Sequence, residues 1–357
     1  MADIIIKAPG RICLFGDHQD YLGLPVIACS IDRYITLEAT KTERREIKVS
    51  MPDINSTRTF NIDQVVVTEN ERDYFSSALV VLSRYNYVPN TGYDITLYGD
   101  IPVNAGLSSS SAVLVAWIAF LLEAFGCSEN VSPEFIAKIA YTAEVLEFNA
   151  PGGLMDQYAI SLGSCVHLNA VTGKHTFLND DIHTLVVGAS GVPKETLGVL
   201  GQLGTMAKTS IAQIQSKHPN FDIKKATLED YEKFEPLLEE ELKPIFYAAI
   251  KNHLITQEAF KLMQQGSIDV NRIGELIDAH HFELKEHLGI TVPIIDAMID
   301  GAKNAGALGA KIVGSGGGGC IVALCKPMNT DAVIKAIKAA GAADAYAIKI
   351  EKGVHTL

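Results

Sequence analysis

Residues 314–319 read Gly-Ser-Gly-Gly-Gly-Gly and stand between two apolar runs, Lys311-Ile312-Val313 and Cys320-Ile321-Val322. Glycine loses more backbone freedom on folding than any other residue, so five glycines in these six positions carry a real entropic cost. Such a run demands close approach by a ligand or by another stretch of backbone. A second run of small residues, Gly106-Leu107-Ser108-Ser109-Ser110-Ser111, leads straight into the apolar stretch from Ala112 to Leu122. Serine caps helices well, but four in succession waste helix propensity if capping is their only task. Free backbone N–H groups, hydroxyls and the positive end of a helix dipole together suit a phosphate chain. Neither run follows the GxxxxGK[ST] pattern, which excludes a P-loop.

A chain of 357 residues, 48% of them hydrophobic, can bury a sizeable core and fits two domains. Its 30 Lys and Arg face 42 Asp and Glu, a net charge of −12. No surplus of cations exists to neutralise a phosphate backbone, so neither a nucleic acid nor an anionic membrane is expected as partner. A small anion in a local pocket stays compatible with that balance. The six cysteines (13, 29, 127, 165, 320 and 325) form no CxxC pair and lie mostly among apolar neighbours. They read as reduced, buried thiols. The opening MADIIIKAPG has no leader character, and Ala112–Leu122 is far shorter than the ~20 residues of a membrane span. The expectation is a cytoplasmic protein.

The apolar periods predict short strands at 4–6 and 12–15, an acidic loop at 16–23, and a further strand from Pro25 to Leu37. Short alternating runs over 45–101 suggest more strands, with a helix near 72–85. Helices follow at about 108–125 and 132–148, the second opened by Ser132-Pro133-Glu134. The pattern loosens over 168–185, giving domains 1–180 and 181–357. Beyond lie strand-like residues near 184–187 and helices at about 193–216, 228–266, 270–288 and 293–305. The end reads strand, Gly-rich turn, strand, helix at 329–340, strand. The class is α+β.

Three groups of polar residues are candidates for chemistry. Asp17 and Asp20 flank His18 in the first loop, so their carboxylates can converge on polyol hydroxyls. Glu144 lies on the helix after the Ser-rich run. Asp156 follows Pro151-Gly152-Gly153 on a punctuated backbone, beside an apolar run. His280, His281 and His287 share a helix but have no matching carboxylate or cysteine set, so a surface or interdomain role is read for them. The acidic stretch 228–242 reads as a solvated face.

Taken together, Lys7-Ala8-Pro9-Gly10-Arg11 through Tyr21, the Gly106-Leu107-Ser loop, and Val313 to Cys320 resemble the GHMP kinase superfamily in order and spacing. The resemblance implies an N-terminal domain like the second domain of ribosomal protein S5, and a ferredoxin-like C-terminal domain. ATP and Mg²⁺ would act in the cleft between them. It further implies that Gly106, Leu107, Ser108, Ser109, Ser110 and Ser111, with Gly316 and Gly317, surround the ATP phosphates. Ser109 and Glu144 would meet Mg²⁺, a count of protein oxygens that ion accepts. Asp156 would be the catalytic carboxylate and Arg11 its basic partner, taking or orienting the acceptor proton and stabilising charge on the transferring group.

The acceptor divides the reading. Asp17, His18, Asp20 and Tyr21 resemble a galactokinase signature, and a carboxylate at Asp20 suits vicinal hydroxyls. The expectation is therefore a kinase for the anomeric hydroxyl of galactose or a related sugar. The unbroken Gly-rich turn and Ser190–Thr196 resemble mevalonate kinases instead, and mevalonate kinase stays open as the alternative. A silent sensor that binds ATP and sugar is the alternative of another class. Adenine contacts are expected from residues 55–105, with none named, and the oligomeric state is not legible.

Overall fold

A computed structural model describes residues 2–64, 72–193 and 196–357. Lys194 and Glu195 of the Ser190–Thr196 run, and residues 65–71 of the stretch expected to contact adenine, lie outside these.

The first apolar runs form one strand rather than two. β1 (Ile4–Phe15) is continuous, and Ile12 to Phe15 are wholly buried, because both faces of the strand are covered. β2 (Val26–Thr42) pairs with it antiparallel, with a register irregularity between Pro9 and Gly10, immediately before Arg11. Bulges of this kind re-aim the next side chain. β3 (Glu46–Met51), β4 (Ser56–Asn61), α1 (Tyr74–Ser83) and β5 (Gly92–Gly99) follow. Then come α2 (Ser109–Phe125), α3 (Pro133–Tyr141), α4 (Met155–Leu162), β6 (Cys165–Leu168) and β7 (His175–Phe177). α2 is apolar on all sides, with Trp117 and Phe120 wholly buried, and it is the central helix of this half.

The second half opens with β8 (Thr184–Ala189), α5 (Thr196–Lys217), α6 (Leu228–Phe234), α7 (Lys243–Met263), α8 (Val270–Phe282) and α9 (Pro293–Asn304). It ends with β9 (Ala307–Val313), β10 (Cys320–Cys325), α10 (Thr330–Ala339), β11 (Asp344–Ile348) and β12 (His355–Thr356). The helix expected over 228–266 is broken between α6 and α7. Pro236 lacks the N–H that a continuing helix needs, and Pro244 then opens α7 near its N-terminus.

Two sheets result. The larger has the order β12-β1-β2-β5-β3-β4, with β6 on β2 and β7 on β6; the smaller is antiparallel β11-β8-β10-β9. All strands of the smaller sheet fall within 184–348, whereas β12 returns to pair with β1. The chain end therefore belongs to the first sheet, across the boundary drawn near 180. Ile312, Ile321, Met298 and Ile299 form the core of the smaller sheet with α9 and α10.

The two glycine runs meet. A Cβ at Gly106 would lie 2.8 Å from the Val313 carbonyl, and one at Gly319 would lie 2.9 Å from the Ala105 carbonyl. Both glycines have positive φ, 87° and 80°. Backbone approaches backbone here, and only glycine permits it. Gly319→Ala is expected to lower stability by about 2 kcal/mol, from left-handed strain plus overlap. A denaturant midpoint unchanged from the parent would refute this close contact.

Candidate active site

α2 begins where the Ser-rich run predicts, but its first serine does not cap it. Ser108 has left-handed backbone (φ 57°, ψ 45°) and makes no side-chain capping bond. Its Oγ instead donates to Asp156 Oδ2 at 2.5 Å. The N–H groups of the first turn have no intrahelical acceptors, so this helix end stays available to an anion. Asp156 sits in the first turn of α4, and its other oxygen accepts from Arg11 Nε at 2.7 Å. A second guanidinium nitrogen of Arg11 donates to the Gly106 carbonyl at 2.5 Å. One arginine on β1 thus grips both the phosphate-type loop and the carboxylate. Burial alone would lower the Arg11 pKa, but the charge of Asp156 raises it above the ordinary value.

Glu144 lies on a widened turn, residues 142–146, that follows α3. There Glu147 N–H donates to Thr142 O at 3.0 Å, skipping the usual α-helical partner. Its carboxylate accepts from Ser111 Oγ at 3.0 Å and from Gln157 Nε2 at 2.6 Å. The structure therefore brings Ser111, not Ser109, to Glu144. Helical spacing explains the difference. Ser109 and Ser111 are two apart in α2, about 200° around the helix, so Ser111 points toward Glu144 while Ser109 shares with Val113 and Trp117 the face toward another cavity.

Two cavities adjoin at this helix end. The larger, about 480 Å³, is lined by Met51, Ile54, Phe75, Val103, Ser109 and Trp117, with Asp53 and Arg58 at polar positions. Its apolar walls and size suit a purine nucleoside, and most of its lining falls in the 55–105 stretch or just before it. The smaller, about 330 Å³, is lined by Arg11, His18, Asp20, Ser111, Glu144, Asp156, Ser315 and neighbours. Arg72, Tyr74, Asn104, Ser108 and Ser110 line both.

The acceptor loop divides its residues. Asp20 faces the smaller cavity and packs on Gly153, where a Cβ would collide with the Asp20 carboxylate, so the Pro-Gly-Gly run makes room for it. Burial, and then the nearby Asp156, push the Asp20 carboxyl up to about 6. His18 lines the cavity with Nε2 3.1 Å from the Ser315 carbonyl, and burial lowers its pKa. Tyr21 lines neither cavity; its hydroxyl backs His18 Nδ1 at 3.3 Å. Asp17 reaches the cavity floor, but Oδ2 accepts from Lys311 Nζ at 2.6 Å and Oδ1 from Gly314 N–H at 2.7 Å. Leu107 is buried and lines neither cavity. Gly316 and Gly317 pack on Ile290, Gly317 N–H donating to its carbonyl at 2.8 Å, so that Gly314 and Ser315 are the residues of this turn at the cavity. Lys311 escaped sequence reasoning; its one signal was a charge inside an apolar strand run.

Among the described residues no three His, Cys, Asp or Glu side chains converge to hold a metal on their own. Ser111 and Glu144 form an all-oxygen pair beside the helix end, which fits an ion such as Mg²⁺ that completes its shell with phosphate and water. No described helix is long and apolar enough to cross a membrane.

Residues 73–164 match the GHMP kinases N terminal domain, residues 258–343 match GHMP kinases C terminal, and residues 1–41 match the galactokinase galactose-binding signature. A galactokinase of Pyrococcus furiosus is 27% identical over 330 residues, covering 91% of this chain and 89% of the relative. A mevalonate kinase of the same organism is 30% identical over 353 residues, covering 95% and 93%. The crystal structure of Lactococcus lactis galactokinase complexed with galactose superposes with a TM-score of 0.88 at 25% identity, covering 99% of this chain and 95% of that one.

The serine assignment has a direct check. Ser111→Ala is expected to raise the Mg²⁺ concentration for half-maximal rate at least fivefold, and Ser109→Ala to leave it within twofold. The reverse order would restore Ser109 as the residue near the metal.

Proposed function

The chain belongs to the GHMP kinase family and is a galactokinase-like phosphotransferase with an alcohol acceptor, and within that family we propose that it transfers the γ-phosphoryl group of ATP to the anomeric hydroxyl of galactose or a close relative. The observation that carries the acceptor is the galactose-binding signature over residues 1–41, whose Asp20 and His18 line the same cavity as Asp156. Charge supports it. That cavity is lined by Asp17, Asp20, Glu144 and Asp156 against Arg11 and Arg72; Asp17 is already paired with Lys311, Asp156 with Arg11, and Arg72 stands at the seam. An acceptor bearing its own carboxylate, mevalonate included, would bring a further negative charge beside Asp20 and Asp156, whereas a neutral polyol would meet hydrogen-bond acceptors.

In this reading the nucleoside occupies the larger cavity and the phosphates lie along the start of α2. The acceptor hydroxyl sits at Asp156, which takes or orients its proton as the oxygen bonds to the γ-phosphorus. The bond to the β-phosphate oxygen breaks and ADP leaves. Arg11 and Ser108 fix both oxygens of Asp156, so the carboxylate is positioned before substrate arrives. Mg²⁺ held near Ser111 and Glu144 would neutralise charge on the phosphates. His18 and Asp20 would grip the sugar, with Tyr21 holding the His18 ring behind them.

The test is acceptor-dependent ADP release with Mg-ATP over galactose, N-acetylgalactosamine, galacturonate, fucose and mevalonate. Turnover is expected on a neutral galactose-type sugar, falling at least 100-fold in Asp156→Asn. Turnover on mevalonate alone would overturn the acceptor, and ATP binding without turnover would favour a sensor. The Asp20 carboxyl, raised to about 6, supplies a second check. A sugar that hydrogen-bonds the ionised form loses that partner as pH falls through 6. Acceptor KM is expected to rise there while kcat changes less, and Asp20→Asn should give a high KM at all pH values. A flat KM between pH 5 and 7.5 in the parent would contradict the contact.

A further inference from the structure

Lys311 is a lysine with no exposed surface, in the middle of β9 among Ala310, Ile312 and Val313, which are equally buried. Its ammonium donates to Asp17 Oδ2 at 2.6 Å and to the Cys13 carbonyl at 3.0 Å. Asp17 is 2% exposed, and its remaining oxygen accepts from the Gly314 N–H at 2.7 Å. The carboxylate therefore closes a ring: one oxygen on the side chain of residue 311, the other on the backbone of residue 314, where the strand ends and the glycine turn begins. The positive charge of Lys311 holds the Asp17 carboxyl below the ordinary range against the effect of burial.

This ring joins pieces far apart in the chain. Asp17 and His18 belong to the acceptor loop, and His18 reaches the Ser315 carbonyl one residue beyond Gly314. Val313 and Gly319 are in backbone contact with Gly106 and Ala105 at the start of the phosphate-type loop. The Cys13 carbonyl lies two residues along β1 from Arg11, which carries Asp156 and the Gly106 carbonyl. Stability does not require an ion pair here. Desolvating two charges offsets most of their attraction, and apolar pairs of similar volume commonly replace buried ion pairs at no loss. What the pair supplies, and an apolar pair cannot, is a carboxylate that holds the Gly314 N–H and the acceptor loop in one fixed register.

We propose that Asp17 and Lys311 are positioning residues that fix the Gly-rich turn to the acceptor loop, setting His18 and Ser315 against Asp156 and the start of α2, and that Asp17 serves the reaction through this clamp rather than by gripping the acceptor. The proposal rests on the phosphoryl-transfer reading. Turnover of the parent tests that reading, and the comparison of variants with the parent tests this one.

The decisive variants are Asp17→Leu, Lys311→Met and the two combined, since an asparagine at 17 could still accept from the Gly314 N–H. Each single change leaves a buried charge without its partner, and both are expected to melt well below the parent. The double variant removes both charges and is expected to regain most of the lost melting temperature. Its kcat should nevertheless stay at least tenfold below the parent, with KM for ATP within about threefold and any rise in acceptor KM, through His18, smaller than the loss of kcat. Recovery of kcat together with stability would reduce the pair to a structural role, and a loss confined to acceptor KM would return Asp17 to direct acceptor binding. Should the double variant not fold, hydrogen exchange on the unliganded parent decides. The Gly314 amide is expected to be as protected as those of β9 and β10, and exchange at the rate of exposed loops would overturn the clamp.

Discussion

Arg11 is the joint on which the active site hangs. It lies on a buried strand just past a register irregularity, is almost wholly enclosed, and spends its guanidinium on Asp156 and on the Gly106 carbonyl. The carboxylate proposed to handle the acceptor proton and the loop proposed to hold the donor phosphates are thereby fixed to one side chain. Gly10, next to it, lets the Leu107 carbonyl come close, where a Cβ would stand 3.1 Å away, and the Arg11 N–H donates to that same carbonyl at 3.2 Å. A lysine could supply the charge but not the fork that reaches two acceptors in fixed directions.

The geometry assigns each costly stretch of sequence a physical reason. The serines are not redundant caps. Ser108 turns its hydroxyl to Asp156, Ser111 turns to Glu144, and Ser109 faces the larger cavity. The glycines of the late turn serve backbone contact as much as any ligand: Gly319 against Ala105, Gly316 and Gly317 against Ile290. Pro-Gly-Gly before Asp156 makes room for Asp20. These are steric permissions rather than chemistry, and together they let three loops converge on a small volume.

Much of this was legible from residue type and spacing. Small-residue runs beside apolar periods located α2 and the late turn, the acidic first loop and the Pro-Gly-Gly before Asp156 marked carboxylates at 17–20 and 156, and the family resemblance tied them to Glu144. What escaped were facts of direction. Helical phase decides which serine meets Glu144, and the start of α2 had to be known to the residue before that phase could be read. The partners of Asp17 escaped because Lys311 is some three hundred positions away in sequence, and only the packing of β9 against the first loop joins them. The break near Pro236, by contrast, is missed by the helix expected over 228–266, although the proline itself signals it.

The central claim is that the two adjoining cavities hold donor and acceptor with Asp156 at the point of transfer. It is tested most directly by a crystal structure with a non-hydrolysable ATP analogue, Mg²⁺ and galactose. The account predicts the nucleoside against Phe75 and Val103, the phosphates across the first turn of α2, and the anomeric hydroxyl within hydrogen-bond reach of Asp156. A sugar bound away from Asp156, or phosphates that leave the start of α2 untouched, would contradict it.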